Sequence, residues 1–460
     1  MTIENPQLIS ELQEMLETAD SGKLQEFCES AHPASVAELI STLSSQDAWE
    51  VLRHAPYPLR SEILSHVNED LQVEIVGSLP RHEVAHLFAD MSPDDRASLF
   101  KQLSEHLQES ILPALAQAER EDIRRLSAYR EGTAGAVMTS DYATLSPQLT
   151  ASQAIELLRK VAPDKETIYY TYVVDNDRKL LGLVSLRELI VAHRDALVND
   201  IMNPEVIFVR VDDDQEDVAR KMQKYDLIAL PVLNDNDVIV GIVTFDDIAD
   251  IIVDEATEDF HGMAAISHKT HPGIGDINMR DASVLLLVRK RLPWLLVLVF
   301  VNIFSSAGLA YFEDTIKAVV ALVFFLPLLI DSSGNAGSQA ATLMVRALAT
   351  GKARLSDWFF LLGKEVLVAG ILGISMGAAV SFVGVFRAGP EIVLVVSITM
   401  VLTVLFGSLV GMSLPFLLSK LRLDPATASA PLITSIADIG GILIYLNIAT
   451  YILKDMVSRL

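Results

Sequence analysis

The chain has 460 residues, 51% of them hydrophobic, and a formal net charge of −24 at pH 7, so it is long enough for several domains. Residues 1–285 hold 51 acidic against 23 basic residues, whereas residues 286–460 hold 9 against 13. The acidic part excludes nucleic-acid binding, since phosphate contacts need a basic surface, and the single cysteine Cys28 excludes an internal disulfide.

Short amphipathic helices are predicted from residue 6 to about residue 129, because apolar pairs recur at helical spacing between turn residues. Ser92-Pro93-Asp94-Asp95 has the features of a helix start: an N-cap, a proline in the first turn and acids that oppose the helix dipole. The recurrence at about twenty residues indicates an all-α superhelical domain over residues 1–130.

From residue 136 to residue 258 the pattern changes to strand–helix–strand–strand–helix, and it occurs twice. Met138 of the first copy aligns with Met202 of the second, and Gly182 aligns with Gly241. This α/β repeat resembles a tandem pair of CBS domains, which we place at residues 131–259.

Thr244 and Asp247 occupy the Thr-x-x-Asp position of the second copy. In the CBS family this position holds an adenosine ribose, so the resemblance implies an adenosine nucleotide such as ATP as a ligand. The alternative is that the two residues cap the helix that follows, and both interpretations stay open.

Acidic residues cluster at the end of the second copy. Seven fall within fourteen residues: Asp246, Asp247, Asp250, Asp254, Glu255, Glu258 and Asp259. Like charges three or four residues apart on a helix destabilise it by a few tenths of a kcal/mol per pair. A solvated acidic face is one explanation, but few basic residues are interleaved, and several carboxylates suit a hard cation such as Mg²⁺. A second group contains Asp212, Asp213, Asp214 and Glu216, with Asp226 as a further member.

The remainder reads as a connecting segment, residues 260–289, and an all-α membrane domain, residues 290–460. Five spans are predicted, each longer than the roughly 20 residues needed to cross a bilayer. They lie at about 292–312, 316–345, 358–386, 392–419 and 430–453. Basic clusters before span 1 and after spans 2 and 4 place those ends, and the whole N-terminal part, in the cytoplasm.

Two spans carry groups that lipid does not tolerate. Span 2 has a polar stripe formed by Asp331, Ser332, Ser333, Asn335, Ser338, Gln339 and Thr342. Such residues face protein or a water-filled cavity. Asp438 lies within span 5, where a carboxylate costs at least a few kcal/mol and usually marks an ion path. The alternative is a structural carboxylate paired with a neighbouring helix.

Pro327, the sequence Gly334-Asn335-Ala336-Gly337-Ser338-Gln339 and Asp438 together resemble the MgtE family of magnesium channels and transporters. The order of a helical domain, a CBS pair, a connecting plug helix and five spans matches as well. The resemblance implies a homodimer in which Asp438 of each subunit holds hydrated Mg²⁺ and Thr434 offers its backbone carbonyl. It also implies a cytosolic Mg²⁺ sensor, whose ligands we expect to be Asp90, Asp94, Asp214, Glu216, Asp226, Asp247, Asp250, Glu255, Glu258 and Asp259.

We therefore expect a Mg²⁺-selective channel or transporter of the cell inner (plasma) membrane that mediates uptake and is closed by cytosolic Mg²⁺. Its expected partners are a second copy, magnesium ions and membrane lipid. The sequence has no phosphate loop, nucleophile–base arrangement or metal-hydrolase motif, so we do not expect an enzyme. A carrier of Mn²⁺ or Co²⁺ is an alternative, because carboxylates and carbonyls separate these ions poorly from Mg²⁺. A nucleotide-sensing CBS membrane receptor is another, but it gives Asp438 and the polar stripe no role.

Overall fold

The computed structural model describes residues 6–18, 20–266, 283–384 and 390–454; for residues 6–10 and 383–384 it describes the backbone alone. The chain divides into two compact units, Met1–Val253 and Asp254–Leu460. Residues 267–282, which form much of the predicted connecting segment, lie outside the described residues.

The first unit begins with short helices that form the predicted all-α domain. They are α1 (Pro6–Thr18), α2 (Ser21–Ser30), α3 (Pro33–Ile40), α4 (Ser45–Leu52), α5 (Tyr57–Ser65), α6 (Glu69–Ser78), α7 (Arg81–Asp90), α8 (Pro93–Gln102), α9 (Glu105–Ile111) and α10 (Gln117–Leu126). Alternate helices pack together, α3 on α5, α5 on α7 and α7 on α9, as they do in a helical superhelix. Ser92 is the N-cap of α8 and Pro93 its first residue, which confirms the predicted helix start, although the Ser92 hydroxyl makes no capping hydrogen bond.

Two small sheets follow in the same unit, one from each predicted repeat. The first repeat contains β1 (Tyr142–Leu145), α11 (Ala151–Val161), β2 (Thr167–Val174), β3 (Leu180–Ser185) and α12 (Leu186–Val191). The second contains α13 (Val198–Ile201), β4 (Val209–Arg210), α14 (Gln215–Tyr225), β5 (Ala229–Leu233), β6 (Ile239–Thr244) and α15 (Phe245–Met263). In each sheet the first strand runs parallel to the second, and the second pairs antiparallel with the third.

Each repeat contributes a methionine that packs against the other repeat. A Cβ placed on Gly241 would lie 2.6 Å from the sulfur of Met138, and one on Gly182 would lie 2.8 Å from the sulfur of Met202. Each methionine thus packs on the glycine of the other repeat. A larger residue in place of either glycine would overlap the methionine. The two methionines, like the two glycines, are the residues that the sequence alignment of the two copies makes equivalent.

The second unit is mostly helical. Besides the end of α15 it contains α16 (Val284–Tyr311), α17 (Glu313–Ala318), α18 (Ala321–Ala349), α19 (Trp358–Gly384), α20 (Pro390–Lys420) and α21 (Ala430–Ile452). Four stretches of the described residues are long and apolar enough to cross a membrane: Val284–Tyr311, Leu355–Phe382, Pro390–Lys420 and Ala430–Ile452. Helix α18, predicted as span 2, is not among them. It begins at Ala321 rather than at residue 316, and its polar stripe lowers its hydropathy.

Candidate functional site

Asp438 lies in the third turn of α21, whose position is fixed by a capped start. Ser429 is the N-cap, and its hydroxyl accepts a hydrogen bond from the backbone N–H of Leu432 at 3.4 Å. Pro431 occupies the first turn, where its missing N–H costs nothing. The helix continues unbroken past Asp438, so the carbonyl of Thr434 lies within the helical hydrogen-bond ladder.

Glycines on α18 allow it to approach α21 closely. A Cβ on Gly334 would lie 2.8 Å from Cγ2 of Thr434, and a Cβ on Gly337 would lie 2.9 Å from Cγ2 of Ile433. Side chains at these two positions would separate the helices. Small residues at a helix contact allow this close approach of the two backbones.

Two hydrogen bonds connect α18 to its neighbours through backbone carbonyls. The Tyr445 hydroxyl of α21 donates to the carbonyl of Leu322 at 2.9 Å, and the Ser333 hydroxyl donates to the carbonyl of Thr403 on α20 at 2.7 Å. Tyr445 and Ser333 are both buried. Each bond gives a buried hydroxyl group the hydrogen-bond partner that it needs away from water.

The Asp438 side chain is half-buried, and its Oδ1 is inaccessible and has no hydrogen-bond partner among the described residues. No ion pair of Asp438 is found among the described residues, where Lys317 of the same unit pairs with Glu313 at 2.6 Å. The alternative of a structural ion pair for Asp438 thus finds no partner there. A carboxylate in this position attracts a cation.

The polar stripe of α18 is divided between two faces. Ser332 and Ser333 are buried against neighbouring helices, whereas Asp331, Asn335 and Gln339 are exposed at intervals of four residues. The Asn335 side-chain amide donates to Oδ2 of Asp331 at 3.0 Å. The exposed face thus presents a carboxylate and two amides on a helix that is otherwise largely apolar.

In the first unit, the start of α8 brings Asp94 towards Asp247 at the start of α15. Asp94 Oδ1 is buried and has no hydrogen-bond partner in the described part of the chain. Burial raises the pKa of the Asp94 carboxyl, and the charge of Asp95 raises it further. The pKa of Asp247 is also raised, first by burial and then by the charge of Asp94.

Glu166 and Asp141 join this group, and sequence reasoning missed both. Glu166 is exposed as a whole residue, yet the pKa of its carboxyl is raised to about 7 by desolvation and then by the charges of Asp94 and Asp246. Asp141 forms an ion pair with Lys165 at 3.3 Å. We call Asp94, Asp95, Asp141, Glu166, Asp246 and Asp247 the sensor cluster.

Thr244 and Asp247 contact each other directly. The Thr244 hydroxyl donates to Oδ2 of Asp247 at 2.5 Å, and the Thr244 backbone N–H donates to the same oxygen at 3.4 Å. The equivalent residues of the first repeat, Ser185 and Glu188, form a full capping box at the start of α12. Capping of the helix is therefore present in both repeats, and it leaves nucleotide binding untested.

A smaller acidic group lies in the second unit, where the end of α15 meets the 3₁₀ turn Pro425–Thr427. The pKa of Asp259 is raised to about 6 by burial and then by the charges of Asp424 and Glu258. A Cβ on Gly262 would lie 3.1 Å from Cβ of Ala426, so the helix and the turn are in contact. Asp424 was not predicted, because it stands alone in the loop between two spans.

The expected second group of acids does not converge within one chain. Asp214 is the N-cap of α14 and Asp226 its C-cap, so twelve residue steps along the helix hold them about 18 Å apart. Asp226 therefore does not join Asp214 and Glu216, contrary to our prediction. Oδ1 of Asp214 accepts the backbone N–H of Glu216 at 2.9 Å, which is a capping role.

Three remaining expected ligands are dispersed: Asp90 and Asp250 are exposed on α7 and α15, and Glu255 is half-buried on α15. Among the described residues, no group of three or more His, Cys, Asp or Glu side chains is arranged to hold a metal ion.

Comparisons with known families cover most of the chain. The MgtE divalent cation transporter model matches residues 326–448, and the MgtE intracellular N domain model matches residues 31–132. CBS domain models match residues 134–195 and 198–254. The chain is 41% identical over 335 residues to the magnesium transporter MgtE of Thermus thermophilus, with 73% of each chain covered. It is 37% identical to the magnesium transporter MgtE of Enterococcus faecalis, covering 74% of this chain and 73% of that protein.

Two solved structures resemble the N-terminal part. One is the soluble part of a magnesium transporter, 32% identical, with a TM-score of 0.52, which covers 55% of this chain and 100% of that one. The other is the cytosolic domain of the Mg²⁺ channel MgtE in complex with ATP, 37% identical, with a TM-score of 0.51, which covers 53% of this chain and 99% of that one.

Proposed function

This chain belongs to the MgtE family, and from that premise we propose that it is a multi-pass magnesium channel or transporter that mediates Mg²⁺ uptake and is closed by cytosolic Mg²⁺. The observation that carries the proposal is the Asp438 carboxylate, half-buried in α21 with one oxygen that no described residue satisfies. A lone acid at that depth is costly, and a passing cation offsets the cost.

Mg²⁺ is the cargo, and it loses its water reluctantly. Asp438 is suited to hold the hydrated ion through its waters, and Thr434, one turn earlier, adds its carbonyl oxygen. That oxygen has two lone pairs, of which the helix uses one. In a homodimer the site would hold two aspartates around one ion. Conduction also requires release, and a site that binds through water releases the ion more readily than a cage of direct ligands.

Five spans are part of the proposal, with α18 as the span that hydropathy alone does not identify. Its exposed polar face is tolerable in a membrane if it faces a second copy or water rather than lipid. Basic residues at the ends of α16, α18 and α20 then lie on one side, which puts the N-terminal part in the cytoplasm and the protein in the cell inner (plasma) membrane.

Cytosolic Mg²⁺ is proposed to act on the acidic groups. In the sensor cluster, repulsion between carboxylates disfavours a compact arrangement unless protons or cations neutralise them. An ion that binds the compact state better than the open one shifts the population towards it. Asp259, Glu258 and Asp424 form a second place where Mg²⁺ can act, at the junction between α15 and the turn that precedes α21. Influx would then stop when the cell is replete.

ATP is proposed as a second ligand, bound by the CBS pair with Thr244 and Asp247 on its ribose. The related cytosolic domain in complex with ATP supports this ligand. In the free chain Thr244 donates to Asp247, so a ribose hydroxyl would have to share that carboxylate.

Other divalent cations remain an alternative cargo, since the family model is that of divalent cation transporters in general. Mn²⁺ and Co²⁺ accept the same oxygen ligands. Competition of each ion against Mg²⁺ flux separates the two proposals, and Mg²⁺ is expected to win at equal concentration.

Mg²⁺ flux into liposomes tests the proposed function. Asp438→Asn keeps the size of the side chain and removes its charge, so flux is expected to fall to background while the protein still assembles. Asp438→Ala is expected to do the same. Glu365→Gln, which removes a half-buried acid from α19, is the matched control and should retain flux. Parent-level flux through a well-folded Asp438→Asn protein would refute the assignment.

A further inference from the structure

Asp331 on α18 lies beside Asp438 on α21. The two helices run antiparallel, because Gly337 contacts Ile433 and Gly334 contacts Thr434. One turn further along, this register places Asp331 opposite Asp438. The charge of Asp331 acts on Asp438, in agreement with that register.

Neither carboxylate has a basic partner among the described residues. Asp438 Oδ1 is buried without a hydrogen bond, and Asp331 accepts one from the Asn335 amide at 3.0 Å. An amide orients a carboxylate but does not neutralise it. Two neighbouring carboxylates on adjacent spans repel each other in a low dielectric, so the pair attracts a cation, and it attracts a divalent ion more strongly than a monovalent one.

We propose that Asp331 is a second carboxylate of the ion path in each copy, sharing the hydrated Mg²⁺ with Asp438 while Asn335 positions it. This inference rests on the proposed function and adds a specificity residue to it. Two carboxylates per copy favour a divalent over a monovalent ion, because the attraction between an ion and the carboxylates grows with the charge of the ion. The exposed side of Asp331 faces the path rather than lipid, which explains why α18 carries an acid at this depth.

The experiment measures Mg²⁺ influx of the full chain in liposomes against external Mg²⁺, for the parent, Asp331→Asn, Asp331→Glu and Asp438→Asn. Asp331→Asn is expected to raise the half-saturating Mg²⁺ at least tenfold and to admit more Na⁺, and Asp331→Glu should restore most of both. Glu365→Gln is the control with an acid removed from another span, and it should match the parent.

The outcomes separate the two proposals. If Asp438→Asn is inactive while Asp331→Asn has the half-saturation and Na⁺ exclusion of the parent, the role of Asp331 is wrong and the proposed function stands. If Asp438→Asn conducts like the parent, the proposed function itself fails. Should Asp331→Asn not assemble, Asn335→Ala decides instead: it frees the Asp331 carboxylate and is expected to raise half-saturation about threefold, and an unchanged value overturns the inference.

Discussion

The carboxylates of Asp438 and of Asp94 and Asp247 in the sensor cluster are all partly withdrawn from water, but in different surroundings. Asp438 stands among close-packed helices, and Asp331 lies opposite it on α18 by the register of the two helices. Asp247 stands among several acids, and Asp94, Asp246 and Asp95 all raise its pKa after burial does. A sparsely charged site lets an ion leave again, whereas a crowded one ties ion binding to the arrangement of the groups around it.

Electrostatic magnitudes support that distinction. Two unit charges about 5 Å apart at an effective dielectric constant of about 20 interact by about 3 kcal/mol. In the sensor cluster Lys165 pairs with Asp141 at 3.3 Å, and the charges of Asp141 and Asp94 act on the buried Arg96, so the six acids of the cluster exceed the bases beside them. Repulsion of this size is enough to shift a conformational equilibrium more than tenfold, since 1.4 kcal/mol already does so.

The largest effect is expected from disrupting the contact between α18 and α20 in the second unit. A Cβ on Gly411 would overlap the backbone carbonyl of Gly337, which cannot move aside as a side chain does. Gly411→Ala is expected to destabilise the membrane unit by about 2–4 kcal/mol and to abolish flux through loss of assembly. The measurement is thermal unfolding in detergent followed by flux.

Gly370→Ala is the matched control for that substitution. Gly370 also lies within a long helix, α19, but a Cβ there has nothing within 4 Å. Its stability and flux should equal those of the parent. Equal behaviour of the two variants would show that the contact between α18 and α20 does not support the site.

The second-largest effect is expected in the sensor cluster. Asp94→Asn combined with Asp247→Asn removes two buried charges from the sensor cluster, so the compact state no longer needs Mg²⁺ to offset them. We expect the internal Mg²⁺ that half-closes the channel to change at least tenfold, with transport at low internal Mg²⁺ unchanged. Asp164→Asn, an exposed acid after α11, is the control. Patch recordings with the same Mg²⁺ inhibition in the double variant and the parent would contradict the sensor proposal.

Sequence reasoning succeeded where a local pattern determines a local structure. The helix start at Ser92 and the alignment of Met138 with Met202 needed a few neighbouring residues each, and the structure confirms both. The fold class followed from periodicity and from the family resemblance. Span 2 stays a prediction, because the polar centre of α18 keeps it below the hydropathy of the four stretches that are apolar enough to cross a membrane.

Reasoning from sequence was weakest where a site joins distant residues. Asp141 and Glu166 directly precede β1 and β2, and the parallel pairing of these strands, with Tyr142 opposite Thr167, brings the two acids together. The prediction that Asp226 joins Asp214 was wrong for the opposite reason. The two residues are near in sequence, but a rigid helix separates them. Carboxylates that meet through tertiary structure leave no spacing to find.

A moderate effect of pH on Mg²⁺ inhibition is expected from the sensor cluster. Carboxyls with raised pKa values hold protons in the folded state, and Mg²⁺ binds the deprotonated form, so ion binding releases protons. Lowering the cytosolic pH from 8 to 6 crosses the pKa of Glu166, about 7, and is expected to weaken Mg²⁺ inhibition about three- to tenfold. Flux at constant external pH and varied internal pH measures this.

Without Mg²⁺, the stability of the first unit is expected to decrease with rising pH, whereas Mg²⁺ inhibition is expected to strengthen. The folded state retains protons that the unfolded chain has released, so the free energy of unfolding falls as the pH rises through about 7. Saturating Mg²⁺ should cancel or reverse that slope. A free energy of unfolding that is independent of pH between 6 and 8 in both conditions would show that the raised pKa values are not linked to folding.

The smallest expected effect concerns Thr244, which supports the most crowded carboxylate. Thr244→Val removes the hydroxyl that donates to Asp247 at 2.5 Å and should cost about 1–2 kcal/mol of stability. Ser185→Ala removes the equivalent cap from the first repeat and should cost about 1 kcal/mol. Because Thr244 is proposed to share Asp247 with the ribose of ATP, Thr244→Val should weaken ATP binding about tenfold, whereas Ser185→Ala should leave it unchanged. Calorimetric titration of ATP into both variants measures the difference, and the same ATP affinity in the two would mean that Thr244 only caps the helix.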